Sequence, residues 1–399
     1  MNSYSGYVLL LFAILVVWEL SSYRLHLGRR KKIRTVINVN GTRGKTSVAR
    51  LLCYALREAG FKVMGKTTGT VPQILSVNGE INAIPRGDHP NICEQLMVVK
   101  KAAEQRAEVL VAECMAIDPV YQKIMEEKML RSDIGVITNV RQDHREVMGS
   151  NREQIAQVLC NTLPRGKVVF TAERENFHVI AKEAAKKKCK TAQCRSEHLI
   201  TDEMMRPFPF FEHRQNVALV LDICGYLGVD EETALKGMYK TVPDPEVLSS
   251  IKVCYDNRHM EFVNAFSTND PDSMVLIWKR MMKGWMPGQK IFFIFNARSD
   301  RPYRSVDTAD VFSKFPIDIF IAMGDGARLF IRALRRGGTP KDRIMNMEGA
   351  KVRDIFKKCA DNASEKNFIF CAGNVKNKGA ALISYIQELN ETSAPKESV

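Results

Sequence analysis

Val36-Ile37-Asn38-Val39-Asn40-Gly41-Thr42-Arg43-Gly44-Lys45-Thr46-Ser47 reads as a β-branched buried strand that breaks at glycine and restarts as a helix. Helix-compatible sequence continues from Val48 to Ala59. Strand, glycine turn and helix N-terminus in that order make a phosphate cradle. The glycines let backbone N–H groups close around phosphate oxygens, and the helix dipole adds positive potential. Lys45 supplies a point charge for β- and γ-phosphates, and the Thr46 hydroxyl is placed to hold Mg²⁺. The spacing is compact, Gly41-x-x-Gly44-Lys45-Thr46, and Val39 stands where a standard Walker A loop has its first glycine. A generic P-loop kinase or GTPase therefore fits less well. The bland alternative, a chance glycine turn with a surface lysine, conflicts with the agreement of strand, turn and helix.

Working outward, 399 residues with 45% hydrophobic content bury a core of two-domain size. The formal charge of +14 invites a nucleic-acid partner, but no RNA-binding signature or interleaved aromatic pattern accompanies it. No nucleic acid is expected; a basic face meets anionic lipid or an anionic substrate equally well. Clusters such as Lys186-Lys187-Lys188 read as solvated helix faces. The 10 cysteines form no Cys-x-x-Cys pair, and Cys189 and Cys194 lack histidines at zinc spacing, so reduced thiols are expected.

Tyr7 to Trp18 is continuously apolar, with no Lys or Arg before it and Arg24, Arg29, Arg30, Lys31, Lys32 and Arg34 after it. No Ala-x-Ala cleavage site is visible. The pattern is that of a signal anchor reaching from about Tyr4 to Tyr23, with the N-terminus outside the cell membrane and the remaining chain in the cytoplasm. The expected divisions are an anchor at 1–27, a basic juxtamembrane stretch at 28–34, a central domain at 35–245, a second domain at 246–390 and a frayed tail at 391–399.

Strand-length runs at Thr35–Val39, Val109–Cys114, Gly135–Val140 and Val168–Thr171 alternate with helix-like stretches at Asn91–Arg106, Tyr121–Leu130, Ser150–Thr162 and Phe177–Lys188. Further helices are expected at Arg214–Leu227 and Glu231–Lys240. Such alternation means a parallel sheet with helices on both faces. Val242-Pro243-Asp244-Pro245 reads as a linker. Beyond it a smaller Rossmann-like unit has strands at Phe262–Ala265, Ile291–Phe295, Asp318–Met323 and Phe368–Ala372, without a Gly-x-Gly-x-x-Gly fingerprint.

Glu113 ends an apolar strand, where a carboxylate faces the crevice in which open parallel sheets bind ligands. It is placed as a Walker B acid for Mg²⁺; a solvated strand-end acid is the plain alternative. Thr138-Asn139-Val140-Arg141-Gln142-Asp143-His144 also follows a strand, and Asp143 with His144 offers ligands for a second divalent ion or, more simply, a cap beside a surface histidine.

These motifs together resemble the Mur ligase ATPase core: Asn40–Thr46, Glu113-Cys114-Met115-Ala116, the Thr138–His144 run and Val147-Met148-Gly149. With Gly65-Lys66-Thr67-Thr68-Gly69-Thr70, Phe262–Asp270, Asn296-Ala297-Arg298-Ser299-Asp300-Arg301 and Gly373-Asn374-Val375, they are most similar to the poly-γ-glutamate synthase ligase subunits. The resemblance covers nearly the whole chain. It implies an α/β fold: an N-terminal transmembrane helix, a central parallel-sheet P-loop ATPase domain of Mur-ligase type and a smaller C-terminal Rossmann-like domain. It implies ATP on Gly41, Thr42, Gly44, Lys45, Thr46 and Ser47, one Mg²⁺ on Thr46 and Glu113, and His144 helping to hold a second. Asn216 falls where such enzymes place an adenine-contacting asparagine, and Asp270 resembles the acid that meets the ribose as the domains close. Arg298 and Arg301 are plausible clamps for a substrate carboxylate by charge and position. Arg43 reaches either the acceptor carboxylate or the γ-phosphate. No residue stands out as the carbamylated lysine of many Mur ligases.

The implied reaction is ADP-forming amide ligation through an acyl phosphate, adding glutamate to an anionic poly-γ-glutamate acceptor, with companion membrane subunits as partners. A homo-oligomer is compatible with the sequence. A folate-type polyglutamate ligase is the nearest alternative, and a membrane-anchored nucleotide-binding regulator or assembly ATPase is the alternative from another class.

Overall fold

The computed structural model describes residues 3–69, 71–85, 91–243, 249–268, 270–282, 288–375 and 377–393. Two compact units divide the chain, Met1–Asp244 and Pro245–Val399. Asp244 and Pro245 of the expected linker, Thr70 and Asn269 of the quoted motifs, and tail residues 394–399 lie outside the described residues.

The first unit is built on an eight-stranded sheet in the order β4-β3-β2-β5-β1-β6-β7-β8. Its strands are β1 (Thr35–Asn40), β2 (Val63–Thr67), β3 (Gln73–Leu75), β4 (Ile81–Ala83), β5 (Val109–Glu113), β6 (Ile134–Ile137), β7 (Val168–Thr171) and β8 (Lys190–Gln193). β2, β5, β1, β6, β7 and β8 run parallel, and β3 and β4 add an antiparallel arm. β1 is central because its Val36–Asn40 run is buried on both faces, the pattern of a covered parallel strand. Its register sets Val39 opposite Glu113, which brings the glycine turn and the strand-end acid to one edge of the sheet.

Helices α1 (Ser3–Lys31), α2 (Lys45–Glu58) and α3 (Glu94–Glu104) open the unit. α2 buries Val48, Leu51, Leu52, Ala55 and Leu56, an i, i+3, i+4, i+7, i+8 stripe, against strand residues Ile37, Val39 and Val111. The helix expected over Tyr121–Leu130 is two pieces, an α-helix at Pro119–Ile124 and a π-helix at Met125–Leu130. The π-turn places Glu126 inward, where its Oε2 accepts from Asn38 Nδ2 of β1 at 2.9 Å and its Oε1 accepts from Ser132 N at 2.8 Å. Burial pushes the Glu126 carboxyl up, opposed by those donors.

The second unit holds six strands in the order β13-β12-β11-β14-β10-β9. They are β9 (Ser249–Tyr255), β10 (Arg258–Ala265), β11 (Lys290–Ala297), β12 (Ile319–Gly324), β13 (Ile344–Asn346) and β14 (Lys366–Gly373). All are parallel except the edge strand β9. One face is an aromatic stack, with Phe295 and Phe330 centroids 4.2 Å apart and Trp278 edge-on to Phe370 at 5.5 Å.

The basic stretch at 28–34 is not a separate segment, because α1 runs unbroken through Lys31. The tail is also shorter than expected: a helix at Lys378–Ser393 enters it. Lys187 leaves the solvated cluster. Its ammonium donates to Cys160 O, Asn161 O and Leu163 O at 2.9–3.1 Å, capping the short 3₁₀ turn at Cys160–Thr162, and burial lowers its pKa. All 10 cysteines are free thiols, eight of them buried.

Candidate active site

The loop from β1 to α2 takes its shape from two glycines with positive φ. Gly41 has φ +132°, and a Cβ there would stand 2.0 Å from Thr138 Oγ1 and 2.9 Å from Thr138 N. Gly44 has φ +79°, and a Cβ there would meet Asn216 Oδ1 at 2.8 Å. Only glycine fits either position. The loop is fastened to the segment after β6. Thr42 N and Thr42 Oγ1 donate to Asn139 O at 3.1 and 3.0 Å, and Thr138 Oγ1 donates to Arg43 O at 2.6 Å. Asn139 clasps Arg43 twice, accepting from its N–H and donating to its carbonyl, both at 3.1 Å.

α2 begins at Gly44 with no side-chain cap and no acidic residue in its first turn, an arrangement that leaves its N-terminal donors and dipole able to receive an anion. Lys45 and Ser47 are half-buried in that turn. The Lys45 ammonium is held across the loop, donating to Gly41 O at 2.8 Å and Thr42 O at 3.4 Å. Thr46 Oγ1 donates to the Glu113 carboxylate, 3.1 Å from Oε1 and 3.0 Å from Oε2. Glu113 is only 3% exposed, and its Oε2 also accepts from Thr68 N at 2.6 Å. The predicted pair is thus brought together at the carboxyl ends of β5 and β2.

On the other side of the loop, Arg43 pairs with Asp143 at 3.1 Å. His144 lies next to it, with Nε2 3.7 Å from Asp143 Oδ2 and Nδ1 3.5 Å from Glu146 Oε1. Among the described residues no three His, Cys, Asp or Glu side chains gather as a ready metal cage. The oxygens of Thr46 and Glu113 suit one hard divalent ion that keeps waters and phosphate oxygens as its remaining ligands. Asn216 is buried, held by Glu212 at 2.7 Å, with its amide packed on Gly44.

The second unit carries the other expected residues. Asp270 caps the helix at Pro271–Met281, its Oδ1 accepting from Ser273 N at 2.9 Å. β11 lies between β12 and β14, with the chain crossing to opposite sides, so the carboxyl end of β11 is a topological switch point. A cavity of about 330 Å³ opens there, lined by Asn296, Arg298, Gly324, Asn374 and Lys378. Arg298, Arg301 and Arg304 line an adjoining crevice. Arg298 grips Asp300 with two bonds of 2.8 and 2.6 Å, which hold the Asp300 carboxyl below its usual range.

Sequence reasoning singled out neither Asn139 and Thr138 as the fastening of the loop nor Lys66. Lys66 is fully buried, its ammonium 3.4 Å from Met115 Sδ and 3.7 Å from Glu94 Oε2. A lysine inside a strand bordered by glycine and threonines was the available signal. Arg304 was missed because it lies inside a helix that apolar periodicity did not reveal.

A model of the Mur ligase middle domain matches residues 39–222, and a model of the poly-gamma-glutamate synthase CapB C-terminal domain matches residues 251–389. The capsule biosynthesis protein CapB of Bacillus anthracis is 32% identical over 396 residues, covering 97% of this chain and 85% of that protein. The chain belongs to the CapB family of poly-γ-glutamate synthases. A second relative, the PGA synthase CapB of Bacillus subtilis (strain 168), is 33% identical over 383 residues, covering 94% of this chain and 96% of that protein. Among solved structures, E. coli FolC in complex with ADP superposes with TM-score 0.68 at 15% identity, covering 94% and 95% of the two chains. The bifunctional folylpolyglutamate synthase/dihydrofolate synthase of Yersinia pestis, complexed with AMPPNP and a Mn ion, gives 0.66 at 14% identity over 91% and 92%. These place the fold with the Mur ligase and FolC type. The chain is an amide ligase of that class.

Proposed function

We propose that this chain joins the carboxylate of a growing glutamate polymer to the amino group of an incoming glutamate, consuming ATP and forming ADP and phosphate. The observation that carries the reading is the junction at the end of β5. There Glu113 holds the Thr46 hydroxyl and the Thr68 amide beside the uncapped start of α2. The relatives named for capsule biosynthesis and PGA synthesis supply the substrate class.

Carboxylate and amine do not condense in water, because the hydroxyl group leaves poorly. Attack of the acceptor carboxylate oxygen on the γ-phosphorus of ATP breaks its bond to ADP and gives an acyl phosphate. The amine nitrogen then attacks the acyl carbon, phosphate departs with the C–O electrons, and the amine loses its proton. The chain's part is positioning and charge compensation. The start of α2 and the glycine loop orient the phosphates, and Lys45 moves from the loop carbonyls to the β/γ-phosphate oxygens. Arg43, aimed by Asp143, faces the reacting carboxylate or γ-phosphate. Thr46 and Glu113 would hold Mg²⁺, with His144 beside a second ion, and the metal supplies charge neutralisation for the phosphate oxygens. Asn216 and Asp270 are assigned to the adenine and the ribose. The incoming glutamate's carboxylates are assigned to Arg298 and Arg301, with Arg298 exchanging Asp300 for the substrate.

α1 holds this ligase at the membrane. An 18-residue stretch within its Tyr7–Lys31 portion is apolar enough to cross a bilayer, and the basic residues from Arg24 onward favour a cytoplasmic ligase, with companion membrane subunits taking the polymer. The test is product formation by the full chain with ATP, Mg²⁺, glutamate and membranes containing those companions, following ADP, phosphate and γ-linked polymer together. Glutamate-dependent ADP release that disappears in Lys45→Ala supports the reading. ATP turnover indifferent to glutamate and glutamyl acceptors sinks it and favours a regulator or assembly ATPase.

A further inference from the structure

We propose that the amino-end face of the ATPase sheet lies on anionic lipid headgroups, so that the nucleotide loop opens away from the bilayer. The proposal rests on the reading of α1 as a membrane span. The foot of α1 is built into that face. His26 Nε2 is hydrogen-bonded to Met129 O at 2.8 Å. The Arg30 guanidinium donates to Leu130 O, Ile33 O and Arg131 O at 2.6, 3.0 and 2.8 Å and to Asp133 Oδ2 at 2.6 Å. All these partners stand at the entrances of β1 and β6. The helix continues without a break from this foot into its apolar part, where the side chains from Tyr7 to Trp18 are exposed. The apolar helix therefore leaves the domain from the amino edge of the sheet.

That same edge is basic in a regular way. Each of the six loops entering a parallel strand presents an exposed cation: Lys32 before β1, Lys62 before β2, Arg106 before β5, Arg131 before β6, Lys167 before β7 and Lys190 at the start of β8. Acids at this edge are largely engaged. Glu108 accepts from Lys62 N at 2.9 Å, Asp133 is shared by Arg30, Lys167 and Val36 N, and exposed Glu104 has Lys100 at 3.9 Å. Strand entrances need no charge for folding, and like charges at one edge repel one another. A nearby anionic surface removes that penalty, and the anchor delivers such a surface to this edge. β1 is six residues long, about 20 Å at ~3.3 Å per residue, so the loop at Gly41 stands one strand length from the face. Acceptor polymer reacts at that far end, which argues against the polymer as the face's occupant.

The experiment uses the full chain in nanodiscs of neutral phosphatidylcholine or with about one-third phosphatidylglycerol, footprinted by lysine acetylation and mass spectrometry. Acetylation of Lys32, Lys62, Lys167 and Lys190 is expected to slow at least threefold in the anionic discs, while exposed Lys123, in the helix that follows the carboxyl end of β5, keeps its rate. Protection should fade in 1 M salt, where the screening length falls to about 3 Å from about 8 Å. Equal acetylation in both discs, from protein that co-elutes with them, overturns the lipid-facing surface alone. Protein that elutes apart from the discs overturns the span itself. Protection by added poly-γ-glutamate in neutral discs, with none from anionic lipid, also overturns the proposal and assigns the face to the polymer.

Discussion

Gly41→Ala tests whether the phosphate loop is held by its fastening to the segment after β6. An alanine Cβ at φ +132° is strained, at a cost of about 1–3 kcal/mol. It would stand 2.0 Å from Thr138 Oγ1, which must swing away and give up its 2.6 Å bond to Arg43 O, costing about 1 kcal/mol more. The Thr138 backbone N–H at 2.9 Å has no such freedom, so the loop itself must also shift. Either the loop keeps its path and the fold loses stability, or it leaves that path and nucleotide affinity falls. The two losses together should come to about 3 kcal/mol, equivalent to roughly a hundredfold in an equilibrium constant. Urea denaturation measures the first and calorimetric titration with ADP the second. In a Thr138→Ala background the hydroxyl clash is absent, so the same substitution should cost about 1 kcal/mol less. A summed loss below about 1 kcal/mol, or an equal loss in both backgrounds, would refute the reasoning.

Glu113→Gln keeps an acceptor for Thr68 N but removes the charge beside Thr46, and glutamate-dependent ADP release should fall by at least about a hundredfold with a raised Mg²⁺ requirement; a rate within a few-fold of the parent would exclude Glu113 as a ligand. Burial raises the folded pKa of Glu126, so its stabilising protonated form is complete below the unfolded value near ~4.3 and is lost as pH rises through the folded pKa. Glu126→Gln is therefore expected to raise the melting temperature at pH 8 and leave it little changed at pH 4, the new amide donating to the buried, unpartnered Asn38 Oδ1 after that side chain flips; a lower value at pH 8 contradicts this. Burial alone would raise the Asp133 pKa, but the Val36 N–H and Arg30 outweigh it, so the pair's contribution is present above the unfolded value near ~3.9 and vanishes as pH falls through the lowered folded pKa. Arg30→Met should cost about 1–3 kcal/mol at pH 7 by urea denaturation, and less as the pH drops below 4; a pH-independent difference would show that Asp133 is not its partner.

What the sequence determined by itself was whatever local chemistry records. The order of β1, β5, β6 and β7 and of β10, β11, β12 and β14 follows from side-chain patterning, which the backbone's own repeat imposes on neighbouring residues, whereas β2, β8, β9 and the helix at Pro302–Phe312 did not show in it. Gly41 and Gly44 announced a loop that side chains cannot enter, and Lys45, Thr46 and Glu113 were legible because a glycine turn and a strand end restrict what can lie beside them. The edge elements were not legible. β3, β4 and β13 are three residues each, too short for alternation to register; β3 and β13 pair with the open sides of the longer β2 and β12, and β4 pairs with β3. Partners far apart in the chain were equally hidden. Arg43 finds Asp143, Gly44 packs on Asn216, and Arg30 finds Asp133 because sheet order makes neighbours of segments that sequence separates by about a hundred residues or more. The same reason turned Lys187 from a solvated charge into a cap and the basic stretch after the apolar run into a docked helical foot. A side chain's type is written locally, but its partner depends on which strands lie side by side, and only the folded sheet decides that.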